Sequence, residues 1–263
     1  MARAQQHYIP GQIWHIPHRC HKREFLLKFS KDRRRWLQWL YEAKKRYGLE
    51  ILNYTVTLNH IHLLVVGGNE RDVILNSIKL IAGRTGQEFN HRKNRKGAFW
   101  EDRYHSTAIE SGDHLFRCIV YIYLNMVRAG VVHHPSEWPF CGYNEIQEPK
   151  RKKVLINYKK LTSLLGFDSY GEVIKYHKRW VDDYLENGKN IHDNKWTTSI
   201  AVGNRSFVER VKSLMGVLVI GRKSVGVGES YQLREPEAPY GAHFGAKKCD
   251  IEPENTHFWS DIQ

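Results

Sequence analysis

The chain has 263 residues, of which 41% are hydrophobic, enough for one sizeable domain or two small ones and the mark of a globular protein. No run of about 18 apolar residues is present, so no membrane span is expected. The formal net charge is +13, and the first 150 residues carry 23 of the 41 Lys and Arg against 14 of the 28 Asp and Glu. That excess calls for a polyanionic partner, nucleic acid being the commonest. The opening Met1-Ala-Arg-Ala-Gln-Gln-His7 lacks an apolar signal core, and a cytoplasmic location is expected. Cys20, Cys118, Cys141 and Cys249 form no CxxC pair, which argues against a structural zinc site and fits thiols in a reducing compartment.

In chain order, Tyr8 to Cys20 reads as a first strand interrupted by Pro17. Ser30 is placed to cap a helix to Tyr47, with Leu37, Leu40 and Tyr41 on its apolar stripe and Gly48 as the stop. Ile51 to Thr57 and His60 to Val66 are β-prone runs joined by a tight turn at Leu58-Asn59, hence a hairpin. A second helix is expected from about Arg71, with Ile74, Ile78 and Ile81 on one face, and a basic loop with Arg92, Lys93, Arg95 and Lys96 follows. Arg103 to Ile109 reads as a fourth strand. A third helix, opened by Ser111 or Asp113, runs through Arg128 and closes near Gly130. The order β-α-β-β-α-β-α predicts an α+β fold: a ferredoxin-like split βαβ antiparallel sheet with one added helix.

Residues 1–147 are read as one domain and residues 148–263 as a mostly helical and loop-rich C-terminal extension beyond the Arg151-Lys-Lys153 linker. Ser169-x-x-Glu172 and Ser206-x-x-Glu209 are capping-box patterns, each opening a helix. From Gly216 onward the sequence reads as Gly-rich loop.

Two short motifs carry chemistry. In His60-Ile61-His62 the strand period puts both imidazoles on one face, where a pair can hold a divalent metal, while Ile61, Leu63 and Val65 point to the core. Two surface histidines on an edge strand are the competing interpretation. In Tyr121-Ile-Tyr-Leu-Asn125 the four-residue spacing stacks Tyr121 and Asn125 on one helical face and turns Tyr123 away. A phenol can act as a nucleophile and an amide oxygen can complete a metal site; a plain amphipathic helix would also use Tyr121 for packing. Together the motifs put two His, one Asn and one Tyr within reach of one pocket, if the last helix crosses the sheet at the histidines.

Thr57-Leu-Asn-His-Ile-His-Leu-Leu-Val65 resembles the HUH signature of single-tyrosine transposases, and the closest likeness is to the REP-associated tyrosine transposases, relatives of the insertion-sequence-200 enzymes. Tyr121-Ile-Tyr-Leu-Asn-Met-Val-Arg-Ala-Gly130 is similar to that branch's nucleophile helix. Gly97-Ala-Phe-Trp-Glu-Asp-Arg-Tyr104 and Glu137-Trp-Pro-Phe140 resemble further motifs, in the same order, so the likeness spans about residues 8–147. Met126 departs from the family's usual proline, which removes a helix-ending signal, and Pro17 puts the pairing of the first strand in question.

The resemblance implies a transposase-type endonuclease and strand transferase for single-stranded, hairpin-forming palindromic DNA. Tyr121 would attack the phosphodiester to give a 5′-phosphotyrosine and a free 3′-OH. His60, His62 and Asn125 would hold the divalent metal, Mg or Mn by family likeness although imidazole alone would favour zinc. Arg92, Lys93, Arg95, Lys96, Arg103 and Arg128, with the basic first helix at Arg33, Arg34 and Arg35, are the candidate DNA contacts. A homodimer suits strand transfer and a monomer suits a single cleavage. Two rival functions remain: a nucleic-acid-binding module that does not cut, although such sheets use aromatics where histidines stand here, and a nuclease that activates water.

Overall fold

A computed structural model describes residues 9–68, 70, 72–187, 193–228 and 230–234. Its elements are β1 (Ile13–Arg19), α1 (Ser30–Tyr47), β2 (Glu50–Val56), β3 (His60–Val66), α2 (Asp72–Arg92), β4 (Thr107–Ile109), α3 (Asp113–Tyr123) and α4 (Asn125–Arg128). There follow α5 (Tyr143–Gln147), α6 (Tyr158–Leu165), α7 (Tyr170–Glu186), α8 (Lys195–Thr198), β5 (Ala201–Gly203), α9 (Arg205–Met215), β6 (Lys223–Val227) and β7 (Ser230–Arg234). The sheet order is β2-β3-β1-β4-β5-β7-β6. Its first four strands, with α1 and α2 as the crossovers, are the split βαβ arrangement expected from the sequence, and the whole is an α+β fold.

The hairpin β2–β3 forms as anticipated, and β3 sits centrally, paired with β2 on one side and β1 on the other. Pro17 does not break β1; it lies opposite His62 in the β1–β3 register. Its carbonyl accepts from the His105 backbone N–H on the side facing β4, and β4 pairs only as far as His15. The missing proline N–H therefore falls beyond the end of the neighbouring strand, where a ladder has nothing to lose. Trp14, Ile16, Leu63 and Val65 on one face and His15, His62 and Leu64 on the other are all buried, so the sheet is covered on both sides.

Several boundaries differ from the sequence reading for identifiable reasons. Ser30 is the first residue of α1 rather than its cap; Phe29 occupies the cap position without a side-chain bond. Gly48 ends α1 in the left-handed region, at φ 68°, as its lack of a side chain permits. Arg71 lies outside the described residues. The fourth strand is confined to Thr107–Ile109; before it, Arg103 and His105 line the site cleft. The third helix opens at Gly112, and it is broken at Leu124 despite Met126 replacing the proline. The Ser169–Glu172 capping box is present at α7. At α9 the cap is instead Asn204, whose side chain accepts from the Phe207 N–H and leaves Ser206 inside the first turn.

The extension contains the expected helices, but the Gly-rich stretch after Gly216 is not all loop. It forms the β6–β7 hairpin, and β5, parallel to β4, joins that hairpin to the main sheet. Glycines and exposed side chains along β6 hide the alternation by which a strand is recognised. Glu110, just after β4, binds the backbone N–H and the side-chain amide of Asn204, both at 2.6 Å. Cys20, Cys118 and Cys141 are buried free thiols; Cys249 lies outside the described residues.

Candidate active site

The sheet face bearing His15 and His62 meets α3. Tyr121 reaches back across it, its ring edge-on to His62 at 5.9 Å between centroids and to His15 at 6.3 Å. His60 and His62 lie 4.9 Å apart, ring to ring. Tyr121, Asn125, Arg128, His60, His62 and Arg103 all line one cleft of about 790 Å³, within the size range of ligand sites. Tyr123 is turned away as the helical period requires; it is buried against Tyr143 and His177.

The hydrogen bonds decide where the imidazole protons sit. His60 Nδ1 approaches Asn59 Oδ1 at 2.8 Å and Thr57 Oγ1 at 3.0 Å. Asn59 gives its amide N–H to the Arg23 carbonyl, and Thr57 gives its hydroxyl proton to the His60 carbonyl. Both are thus acceptors toward His60, which carries its proton on Nδ1 and its lone pair on Nε2. His62 Nδ1 lies 2.8 Å from His15 Nε2, and His15 Nδ1 lies 2.8 Å from the carbonyl of Trp196. A carbonyl only accepts, so His15 is protonated on Nδ1. Burial holds the His15 pKa down to about 3, so the ring is neutral and its Nε2 is an acceptor. His62 therefore donates from Nδ1 and bears its lone pair on Nε2, which is buried and makes no hydrogen bond among the described residues. Burial, then the neighbouring His60 and His15, push the His62 pKa well below its usual value.

Asn125 lines the cleft and gives its amide nitrogen to the carbonyls of Tyr121 and Ile122, both at 3.2 Å, where α3 breaks. That assigns Nδ2 to the helix and Oδ1 to the acceptor role. Arg128 gives Nη2 to the Tyr121 carbonyl at 2.8 Å and lays its guanidinium 4.6 Å from the centre of the Tyr121 ring. Burial raises the Tyr121 pKa, opposed by the positive Arg128 and by a hydrogen bond with the Thr197 side chain.

Two imidazole lone pairs and an amide oxygen suit a divalent cation that keeps open positions, and the orphaned buried His62 Nε2 is the atom such an ion would satisfy. Among the described residues, no three His, Cys, Asp or Glu side chains gather as a metal site. The fit therefore rests on the two histidines with Asn125, without a carboxylate.

The basic residues are dispersed. Arg92 pairs with Asp32, and Arg95 pairs with Glu24 and binds the Ala98 carbonyl. Lys93 and Lys96 are exposed, Lys93 sitting over Phe29 at 5.4 Å. Arg33 is no surface contact: it is buried, donates to the carbonyls of Leu27 and Lys28, and packs on Trp138 and Phe140. Arg35 is tied to Glu88, and Arg34 is exposed. The sequence reading missed His15, Thr57, Asn59, Trp196 and Thr197. A histidine between Trp14 and Ile16 in an apolar strand was the visible signal for His15.

Residues 10–123 match the family described as transposase IS200 like. Over this segment the chain is similar to the IS200-like transposases. The matched segment holds β1, the histidine pair and Tyr121, and ends before Asn125 and Arg128. Among solved structures, one of a REP-associated tyrosine transposase bound to a REP hairpin is 23% identical, with a TM-score of 0.47, covering 55% of this chain and 84% of that one. Another, of a putative transposase from Deinococcus radiodurans, is 15% identical, with a TM-score of 0.33, covering 50% and 92%. No curated protein matches the chain. No helix among the described residues is long and apolar enough to cross a membrane.

Proposed function

We propose that this protein is a transposase that cuts and rejoins single-stranded, hairpin-forming DNA of the repeated palindromic kind, with Tyr121 as the nucleophile. The observation that carries the reading is the meeting of Tyr121 and His62, 59 positions apart in the chain, at 5.9 Å in one open cleft. The Tyr121 hydroxyl oxygen attacks the phosphorus of the scissile phosphodiester. An oxygen–phosphorus bond to Tyr121 forms, the bond from phosphorus to the 3′-oxygen breaks, and the phenol proton ends on the departing 3′-hydroxyl. Attack by a second 3′-hydroxyl reverses these changes, so bond energy is conserved in the phosphotyrosine and no outside energy source is needed.

His60, His62 and Asn125 would hold a divalent ion, Mg or Mn. Such an ion supplies positive charge at the scissile phosphate and at the developing phenolate. Arg128 fixes the Tyr121 ring from one side and adds a positive charge beside the phenol, whose burial otherwise opposes ionisation. Arg103 lines the cleft, and it would contact a phosphate there. Lys93 and Lys96 extend the positive surface, and the exposed Phe25 and Phe29 offer faces for unpaired bases. Arg92 and Arg95, already paired with Asp32 and Glu24, serve the fold first.

The test is a hairpin oligonucleotide labelled on either side of the cut, incubated with Mn²⁺. The 3′ part should become covalently attached to protein while the 5′ part keeps a free 3′-hydroxyl that a polymerase extends. Chelation, His60→Ala or His62→Ala should abolish both products. Cleavage with a free 5′-phosphate and no adduct points to activated water instead, and binding without cleavage points to a module that only grips DNA.

A further inference from the structure

We infer that His15 is a positioning residue for the cation site: suspended from the Trp196 carbonyl, it locks His62 in the tautomer whose Nε2 lone pair remains uncommitted at the cleft. The inference rests on the reading of His60 and His62 as cation ligands. Two hydrogen bonds in series carry it. The Trp196 carbonyl accepts from His15 Nδ1 at 2.8 Å, and His15 Nε2 lies 2.8 Å from His62 Nδ1; a wholly buried His15 that already donates to the carbonyl is neutral and accepts at Nε2, so the proton between the rings belongs to His62. The rings of His15 and His62 are nearly parallel, 11° apart. The opposite tautomer of His62 would place its proton on Nε2 and leave Nδ1 as an acceptor. His15 would then have to donate from both nitrogens and become a cation with its side chain wholly buried.

The end of the relay distinguishes it from an ordinary core histidine pair. Three of its four ring nitrogens are satisfied, and the fourth, His62 Nε2, has no partner among the described residues. Buried His177 also has an unpartnered Nε2, but His62, unlike His177, lines the open cleft. A carbonyl orienting a histidine that orients a ligand histidine is the outer-shell arrangement that tunes metal affinity. The Thr107 hydroxyl donates to the Ser199 carbonyl at 2.7 Å and lies 3.2 Å from the Trp196 carbonyl, which holds the end of α8 to β4 at this point. Trp196 also packs at 6.2 Å from the Tyr121 ring, and Thr197 bonds the Tyr121 hydroxyl. The short helix α8, 181 positions from His15, thereby ties the C-terminal extension to the chemistry in the N-terminal segment.

The full-length protein tests this in two ways. In the metal-free wild type, long-range nitrogen-15 spectra of the imidazoles, with His62 assigned by comparison with His62→Gln, should show a protonated Nδ1 and a bare Nε2. Mn²⁺ binding, followed by the paramagnetic resonance of the free ion, should weaken about 10- to 100-fold in His15→Leu. It should recover to within a few-fold of wild type in His15→Gln, whose amide can donate to the Trp196 carbonyl and accept from His62. A wild-type His62 protonated on Nε2, or a folded His15→Leu that binds Mn²⁺ like wild type, overturns the inference. If the wild type takes up no Mn²⁺, the cation reading itself fails, while the tautomer in the metal-free protein still decides the relay.

Discussion

Arg128→Met removes the charge beside Tyr121 while keeping an apolar stem over its ring. The guanidinium is 4.6 Å from the ring centre, and its Nη2 binds the Tyr121 carbonyl at 2.8 Å. At an effective dielectric of about 20, unit charges ~5 Å apart interact by roughly 3 kcal/mol. Arg128 is partly exposed and the phenolate charge is incomplete in the transition state, so about 1–2 kcal/mol is the reasonable share, or roughly a 5- to 30-fold fall in rate. Losing a charged hydrogen bond costs about 1.5–3 kcal/mol of stability, offset in part because a half-buried charge no longer has to be desolvated. The assay is single-turnover formation of the covalent adduct at saturating hairpin DNA and Mn²⁺, beside a thermal melt. Arg128→Lys, which keeps the charge without the planar fork, should fall between. An unchanged rate at saturating DNA, with only affinity reduced, refutes the reasoning and makes Arg128 a phosphate contact.

Burial holds the His177 pKa down to about 3, and its Nδ1 accepts from Gln147 at 2.6 Å, so His177 is neutral when folded. The unfolded chain gains a proton there as pH falls below about 6.5, and stability is lost from that point downward. His177 should cost roughly 2 kcal/mol at pH 5 relative to pH 7.5, and the melting difference between those values should shrink in His177→Gln; an equal difference contradicts the assignment. Lys93→Gln and Lys96→Gln should each reduce the salt dependence of hairpin binding by about one phosphate's worth, read as the slope of log affinity against log salt; unchanged slopes would take the DNA elsewhere. Gly203→Ala would press a methyl group against the Phe207 ring and the Glu110 side chain, where β5 joins α9, and should cost about 1–3 kcal/mol by thermal melt. A native melting temperature would mean that this junction yields.

The parts of the site that were legible in the sequence are those that obey a period. Alternation along β3 paired His60 with His62, and the helical spacing separated Tyr121 from Tyr123. The element order gave the first four strands and the order in which they lie. What could not be read has physical causes. The partner of His15 is a backbone carbonyl, which leaves no mark in a sequence, and it lies in a helix of only four residues. Arg33 looked like surface charge within a basic run, yet its aromatic partners Trp138 and Phe140 lie more than a hundred residues away. Asn204 won the cap of α9 from Ser206 because Glu110 already holds its side-chain amide and fixes the carbonyl toward the helix. Strand β7 was missed because its burial depends on a distant neighbour, β5, rather than on its own pattern.

The most direct measurement compares two phenols two residues apart. Tyr123 is buried and its hydroxyl makes no hydrogen bond among the described residues, so Tyr123→Phe should fold and react like wild type. Tyr121→Phe should also fold, yet yield no denaturation-resistant protein–DNA adduct with a single-stranded hairpin and Mn²⁺. An adduct that survives in Tyr121→Phe, or disappears in a folded Tyr123→Phe, would contradict the assignment of the nucleophile.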